Sequence, residues 1–211
     1  MSIENTVAEL RKVMAHGATG HGVELRHEAD SRYLYNAELI LELSLPQELK
    51  GLFSVANGQY RYSRDGVPAA AFLPELQLVE GEADRYCDAG YLCGVEEMLL
   101  ETLIFRDELK RLKSDGWNLV DDLETIGPVA LHESLLVISG SDDPSLFFVD
   151  LDPPRGGKHG QIVWLNEQPW EIVLVADGIG ELLRRILDGH KKRQYRLVET
   201  GGTAIFTERN T

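Results

Sequence analysis

Asp150 and Asp152 are the side chains of this sequence best spaced for chemistry. They lie two apart in the run Phe147-Phe148-Val149-Asp150-Leu151-Asp152-Pro153-Pro154. On an extended chain, residues two apart share a face. The two carboxylates could therefore hold a divalent ion or act as an acid/base pair, which would make the protein a metal-dependent enzyme. No third carboxylate or histidine lies nearby in sequence, whereas a hard cation needs about six oxygen ligands. An aspartate ahead of Pro-Pro also has a structural use, accepting backbone N–H groups from the turn that follows. The structural role outweighs the enzymatic one, which stands as the competing class.

The other candidates for chemistry are weaker. Gly156-Gly157-Lys158-His159-Gly160 resembles a phosphate loop in composition, but no Ser or Thr follows Lys158, and an extended segment follows where the phosphate loop needs a helix. His16, His21 and His27 are five and six residues apart, which matches no zinc spacing. Cys87 and Cys93 are not spaced as a redox or zinc pair and are expected to be free thiols. Ser139-Gly140-Ser141 lacks the Gly-x-Ser-x-Gly of a nucleophile elbow. The expectation is a protein without catalytic residues, metal or cofactor.

Charge bears on the partner. The 211 residues carry a formal net charge of −14. Residues 1–150 hold 12 Lys/Arg against 27 Asp/Glu, or −15, and residues 151–211 hold 9 against 8, or +1. A field of this sign opposes phosphate neutralisation, so nucleic acid is excluded as a partner. It would steer a basic protein, and the carboxylates Asp121, Asp122, Glu124, Asp142 and Asp143 are the candidate contact residues. Acidity for solubility alone is the plainer alternative. Lys191-Lys192-Arg193 with Arg184, Arg185 and Arg196 is the one basic concentration, and it suits a helix C-terminus. The opening residues Met1-Ser2-Ile3-Glu4-Asn5 lack the basic and apolar regions of a signal peptide. No apolar run approaches the ~20 residues of a membrane span, so the expected location is cytoplasmic.

The elements that must position these residues follow from periodicity. Val7, Leu10, Val13 and Met14 predict a first amphipathic helix. Tyr35, Leu39 and Glu42 fit a second, and Leu45-Pro46 starts a third with Leu49, Leu52 and Phe53 as its buried stripe. Asn57-Gly58 is expected to supply the left-handed residues that end that helix. Gln59 to Gly94 shows only short extended pieces between prolines, so turns and edge strands are expected. Val95 to Leu112 is a strong helix with Met98, Leu99, Thr102, Leu103, Phe105, Leu109 and Leu112 as its apolar face, stopped by Gly116. Leu135–Ile138, Phe147–Leu151, Gln161–Trp164 and Glu171–Val175 read as strands, and Ile179–Leu187 as a helix ended by Gly189. Tyr195 to Thr207 alternates around Gly201-Gly202 and predicts an added hairpin.

The order of several motifs resembles the Smi/Knr cell-wall-regulator family of the SUKH superfamily, which includes many bacterial toxin-immunity proteins. The motifs are Leu45-Pro46 with Asn57-Gly58, Trp117, and Asp150-x-Asp152-Pro153 leading through Gly157 and Gly160 to Gln161. The likeness covers about residues 25–190, and the family motifs are expected to be mainly structural. It implies an α+β fold in which a mostly antiparallel or mixed sheet packs against N-terminal and C-terminal helices. Residues 1–211 are expected to form one domain, with 191–211 as a C-terminal extension. For function it implies a non-catalytic protein-binding module, of the bacterial immunity type that neutralises a toxin domain by direct binding. A regulatory scaffold related to the cell-wall regulators is the alternative within the binding class.

Overall fold

The computed structural model describes residues 1–14, 22–62, 69–77, 86–87, 89–117, 123–140, 145–167, 170–200 and 203–208. The first half of the chain is mainly helical: α1 (Ile3–Met14), α2 (Ser31–Leu41) and α3 (Gln47–Phe53) precede β1 (Leu76–Gln77), β2 (Tyr86–Cys87), β3 (Tyr91–Leu92) and the long helix α4 (Val95–Ser114). The second half supplies β4 (Glu124–Ile126), β5 (Leu135–Val137), β6 (Ser139–Gly140), β7 (Ser145–Asp150), β8 (Gln161–Glu167) and β9 (Trp170–Ala176). Helix α5 (Ile179–Lys191) and the strands β10 (Tyr195–Thr200) and β11 (Thr203–Glu208) close the chain.

The central sheet has the order β4-β9-β8-β7-β5. Every pairing in it is antiparallel except β4 with β9. The segments 135–138, 147–151 and 161–164 thus contribute to one sheet, as the alternation of their side chains predicts. Period two divides β7 between two cores. Phe147 and Val149 join Leu136, Ile162, Trp164 and Val173 on the face covered by α5, on which α1 and α3 pack in turn. Phe148 joins Leu135, Val137, Val163 and Ile172 on the other face, where α4 brings Phe105 and Leu109. The Phe105 and Phe148 rings meet at 4.6 Å between centroids. Buried Thr102 on α4 accepts the Val137 N–H at 3.0 Å, which fixes the helix to strand β5.

Helix boundaries follow local chemistry, with three corrections. Asp30 caps α2 by accepting the Arg32 N–H at 2.9 Å, and Glu42 closes it at φ +57°. The side chains buried on α2 are Ala37 and Leu41, whereas Tyr35 and Leu39, whose spacing marks the helix in the sequence, are exposed. Leu103 likewise lies outside the buried stripe of α4. Gly189 does not end α5 but lies inside it, because a Cβ there would fall 2.3 Å from the ring of Tyr195. Gly116 does follow the end of α4, at φ +85°. Gly17 and Gly20, the expected stop of α1, lie outside the described residues.

The segment after Asn57 forms short pairings, as its broken pattern implies: β1 with β2, β3 with β6, and isolated bridges at Gln59 and Leu73. Buried Gln59 organises them. Its Oε1 accepts the Phe72 and Leu92 N–H groups at 2.7 and 3.1 Å, and its Nε2 donates to the Ala70 carbonyl at 3.0 Å. One side chain thereby substitutes for a missing stretch of ladder between irregular strands. The expected tail hairpin is present as β10–β11. It is docked on that segment, with the Ala71 and Glu75 N–H groups donating to the Ala204 and Phe206 carbonyls.

Candidate functional site

The Asp150 carboxylate is the centre of a closed polar knot. Asp150 is fully buried at the end of β7, opposite Gln161 in register. Its Oδ1 accepts the Asp152 N–H at 3.1 Å, and its Oδ2 accepts Gln161 Nε2 at 2.9 Å. Gln161 also donates to the Pro128 carbonyl at 2.9 Å, while its Oε1 accepts the Lys158 N–H at 3.0 Å. The Gly160 N–H returns to the Asp150 carbonyl at 2.7 Å. Gly157 is required by space: a Cβ there would lie 2.6 Å from the Pro153 Cβ and 3.0 Å from Gln161 Oε1. Gly160 is required by its φ of +86°. His132 completes the knot, with Nε2 3.0 Å from Asp150 Oδ1 but off the line of a proper hydrogen bond.

This geometry corrects the expectation that Asp150 and Asp152 share a face. The strand ends at Asp150, so the alternation does not reach Asp152, which is exposed while Asp150 is buried. The buried carboxylate serves the turn, in the manner of an aspartate that accepts a backbone N–H two residues on. Among the described residues, no group of three or more His, Cys, Asp or Glu side chains is arranged to hold a metal ion.

The Asn57-Gly58 pair also has a different task from the one its sequence suggests. Helix α3 ends at Phe53, and Asn57 Oδ1 accepts the Val95 N–H at 2.8 Å. Asn57 therefore caps α4, across 38 residues of chain, where the Gly94 at the cap position has no side chain to offer. Glu97 Oε2 accepts the Gly94 N–H at 2.8 Å, and Glu97 Oε1 pairs with Arg26 at 2.6 Å. Gly58, at φ +78°, lies against this cap so closely that a Cβ would stand 2.4 Å from the Gly94 nitrogen.

Leu45 and Pro46 border a cleft of about 540 Å³ that Lys158, His159 and Gly160 of the hairpin turn and Asp177 also line. Leu45 is buried, and Pro46 precedes the first turn of α3. Glu48 reaches from α3 to accept the Gly180 N–H at the start of α5, at 3.0 Å. Lys158 pairs with Asp177 across the cleft, and that carboxylate holds the exposed ammonium above its usual range. Three separated motifs thus meet at one place, tied by internal bonds.

The remaining candidates fall in separate places. Trp117 is 39% exposed just after α4 and packs on Trp170 at 5.3 Å between ring centroids. Glu124 is exposed at the start of the sheet's edge strand β4. Asp121, Asp122, Asp142 and Asp143 lie outside the described residues. His16 and His21 are outside them as well. Cys87 and Cys93 are buried, and burial pushes the Cys93 thiol up to about 12, with Glu97 and Glu101 adding to it. Such a thiol is unreactive. In the basic concentration, Lys191 approaches Glu9 of α1 at 3.8 Å, Arg185 donates to the Val175 carbonyl, and Arg196 to Thr207. Sequence reasoning missed Gln59, Glu48 and His132, whose contacts with Ala70, Gly180 and Asp150 each span 11 or more residues of chain.

A mixed sheet between helices, closed by an Asp–Gln hairpin and an α4 cap donated by an Asn-Gly turn, defines the class of scaffold. The sequence matches the profile of the SMI1/KNR4 family (SUKH-1) over residues 28–185, and the chain belongs to that family. No curated protein matches the sequence. No helix among the described residues is long and apolar enough to cross a membrane.

Proposed function

We propose that this protein is a non-catalytic binding module of the immunity type, which neutralises a basic toxin domain by covering it. The observation that carries the reading is the charge of residues 1–150, 27 acidic against 12 basic side chains, in a member of the SMI1/KNR4 family. Opposite fields raise the encounter rate of two proteins and suppress wrong partners. The internal use of Asp150 supports the absence of catalysis, since its carboxylate is engaged by the turn it closes. In this reading the protein acts in the cytoplasm, where its two buried thiols stay reduced. The carboxylates Asp121, Asp122, Glu124, Asp142 and Asp143 are the proposed electrostatic contacts.

The test is co-expression. A toxic, basic domain encoded next to this chain is produced with and without it in the same host. The expected result is restored growth and a stable complex on gel filtration. Unchanged toxicity, with both proteins folded and eluting apart, overturns the reading.

A further inference from the structure

Helices α2 and α4 pack side by side, and both turn apolar side chains outward. Leu39 and Ile40 of α2 are 65% and 52% exposed, and Leu100, Leu103 and Ile104 of α4 are 57%, 41% and 55% exposed. Single exposed apolar residues are ordinary on a protein surface, whereas Leu100, Leu103 and Ile104 lie together on the outer side of α4, and such a cluster, with α2 packed beside it, is of the kind that binds. Glu96, Leu100, Leu103 and Asp107 follow one another at four-, three- and four-residue steps, so they share one stripe of α4. An apolar centre is thus closed by an acid at each end. Glu96 and Asp107 are both exposed, and neither forms an ion pair among the described residues.

This charge pattern selects the occupant. A second copy meeting the same patch would set Glu96 and Asp107 against their own kind, in a molecule of net charge −14. A cationic amphipathic segment satisfies both features: its apolar side chains cover the leucines, and its Lys or Arg side chains reach the flanking acids. We propose that the α2–α4 face is the docking surface for a cationic amphipathic helix of a protein partner. The proposal rests on the protein-binding reading and gives it a surface among the described residues.

Three labelled synthetic helices test it by fluorescence anisotropy: a Leu/Lys amphipathic peptide, a Ser/Lys peptide of equal charge, and a Leu/Glu peptide of the same pattern. The Leu/Lys peptide is expected to bind at least about tenfold more tightly than the Ser/Lys peptide, and the Leu/Glu peptide not to bind. The double variant Leu100→Ser/Ile104→Ser should abolish that tenfold advantage with an unchanged melting temperature, since both side chains are exposed. Equal binding of the two cationic peptides, or an unchanged advantage in the double variant, overturns the proposal. So does a wild-type dimer in sedimentation that the double variant dissolves, because the face then belongs to a second copy. A toxin domain neutralised equally well by the double variant defeats this surface and leaves the immunity reading intact. The expected peptide results without any toxin neutralised support the surface and defeat immunity.

Discussion

Replacing Asp150 by Ala and, separately, Asp152 by Ala separates a structural knot from a carboxylate pair. Asp150 accepts two well-formed hydrogen bonds inside the fold, from the Asp152 N–H at 3.1 Å and Gln161 Nε2 at 2.9 Å. A bond to a charged group contributes about 1.5–3 kcal/mol, and a buried donor left without a partner adds its desolvation cost. Gln161 Nε2 keeps the Pro128 carbonyl at 2.9 Å, so the lower end applies and the expected loss for Asp150→Ala is about 3–4 kcal/mol. Asp152 offers its backbone N–H to the knot, and its side chain is exposed. Asp152→Ala should therefore stay within about 0.5 kcal/mol of wild type. Urea unfolding followed by tryptophan fluorescence gives both values. A loss under about 1 kcal/mol for Asp150→Ala, or equal losses for the two variants, refutes the reasoning. Calorimetric titration with magnesium, calcium, manganese and zinc is the companion measurement. Specific binding that Asp150→Asn abolishes would favour the metal-dependent alternative.

Further predictions concern the α4 cap, the tail and the acidic pairs Asp121-Asp122 and Asp142-Asp143. Asn57→Ala should cost about 1–2 kcal/mol by uncapping α4, and Gly58→Ala should cost more, because it combines a φ of +78° with a Cβ 2.4 Å from the Gly94 nitrogen; thermal melts check the order. Burial lowers His190 to about 4 from the ordinary 6.5, with its ring against Tyr195 and Phe206. The unfolded chain then takes up a proton that the folded protein refuses. Stability is full above about pH 6.5 and falls as pH drops towards about 4, by roughly 1–2 kcal/mol once screening of the partly exposed ring is allowed for. Urea midpoints across that range should lose this slope in His190→Leu. Reversing Asp121, Asp122, Asp142 and Asp143 to Lys should slow association with a basic partner by about tenfold at low salt and flatten its salt dependence, measured by stopped flow.

Where side-chain periodicity is strong, the sequence and the structure agree. The alternation of Phe147, Phe148 and Val149 assigns each to its core, and the stripe Ile179, Leu182, Leu183, Ile186 and Leu187 is buried on α5. Gly160 takes the positive φ that a reversal after Pro-Pro needs, whereas Gly157 is required by close packing against Pro153 and Gln161, which only the folded turn reveals. Polar side chains whose partners are remote were not legible. Asn57 looks like the end of its own helix because Asn-Gly commonly fills that place, yet it caps a helix 38 residues on. Gln59 sits in a segment with no regular period and acts by replacing backbone partners that only the folded chain brings near. Spacing alone places Asp152 on the face of Asp150, which holds only if the strand runs as far as Asp152, and it stops two residues earlier. The outward apolar side chains of α2 and α4 blur the helical pattern itself, since Leu39 and Leu103 look like core at their spacing.

The proposed function has this acidic protein act by binding a basic one. The most direct test is titration calorimetry of the purified chain with a basic toxin domain of the kind it is proposed to neutralise, at low and at physiological salt. One-to-one binding that weakens as salt rises, with toxin activity lost at equivalence, is the expected result. Absence of binding at both salt concentrations, with toxin activity unchanged in excess of this chain, contradicts it.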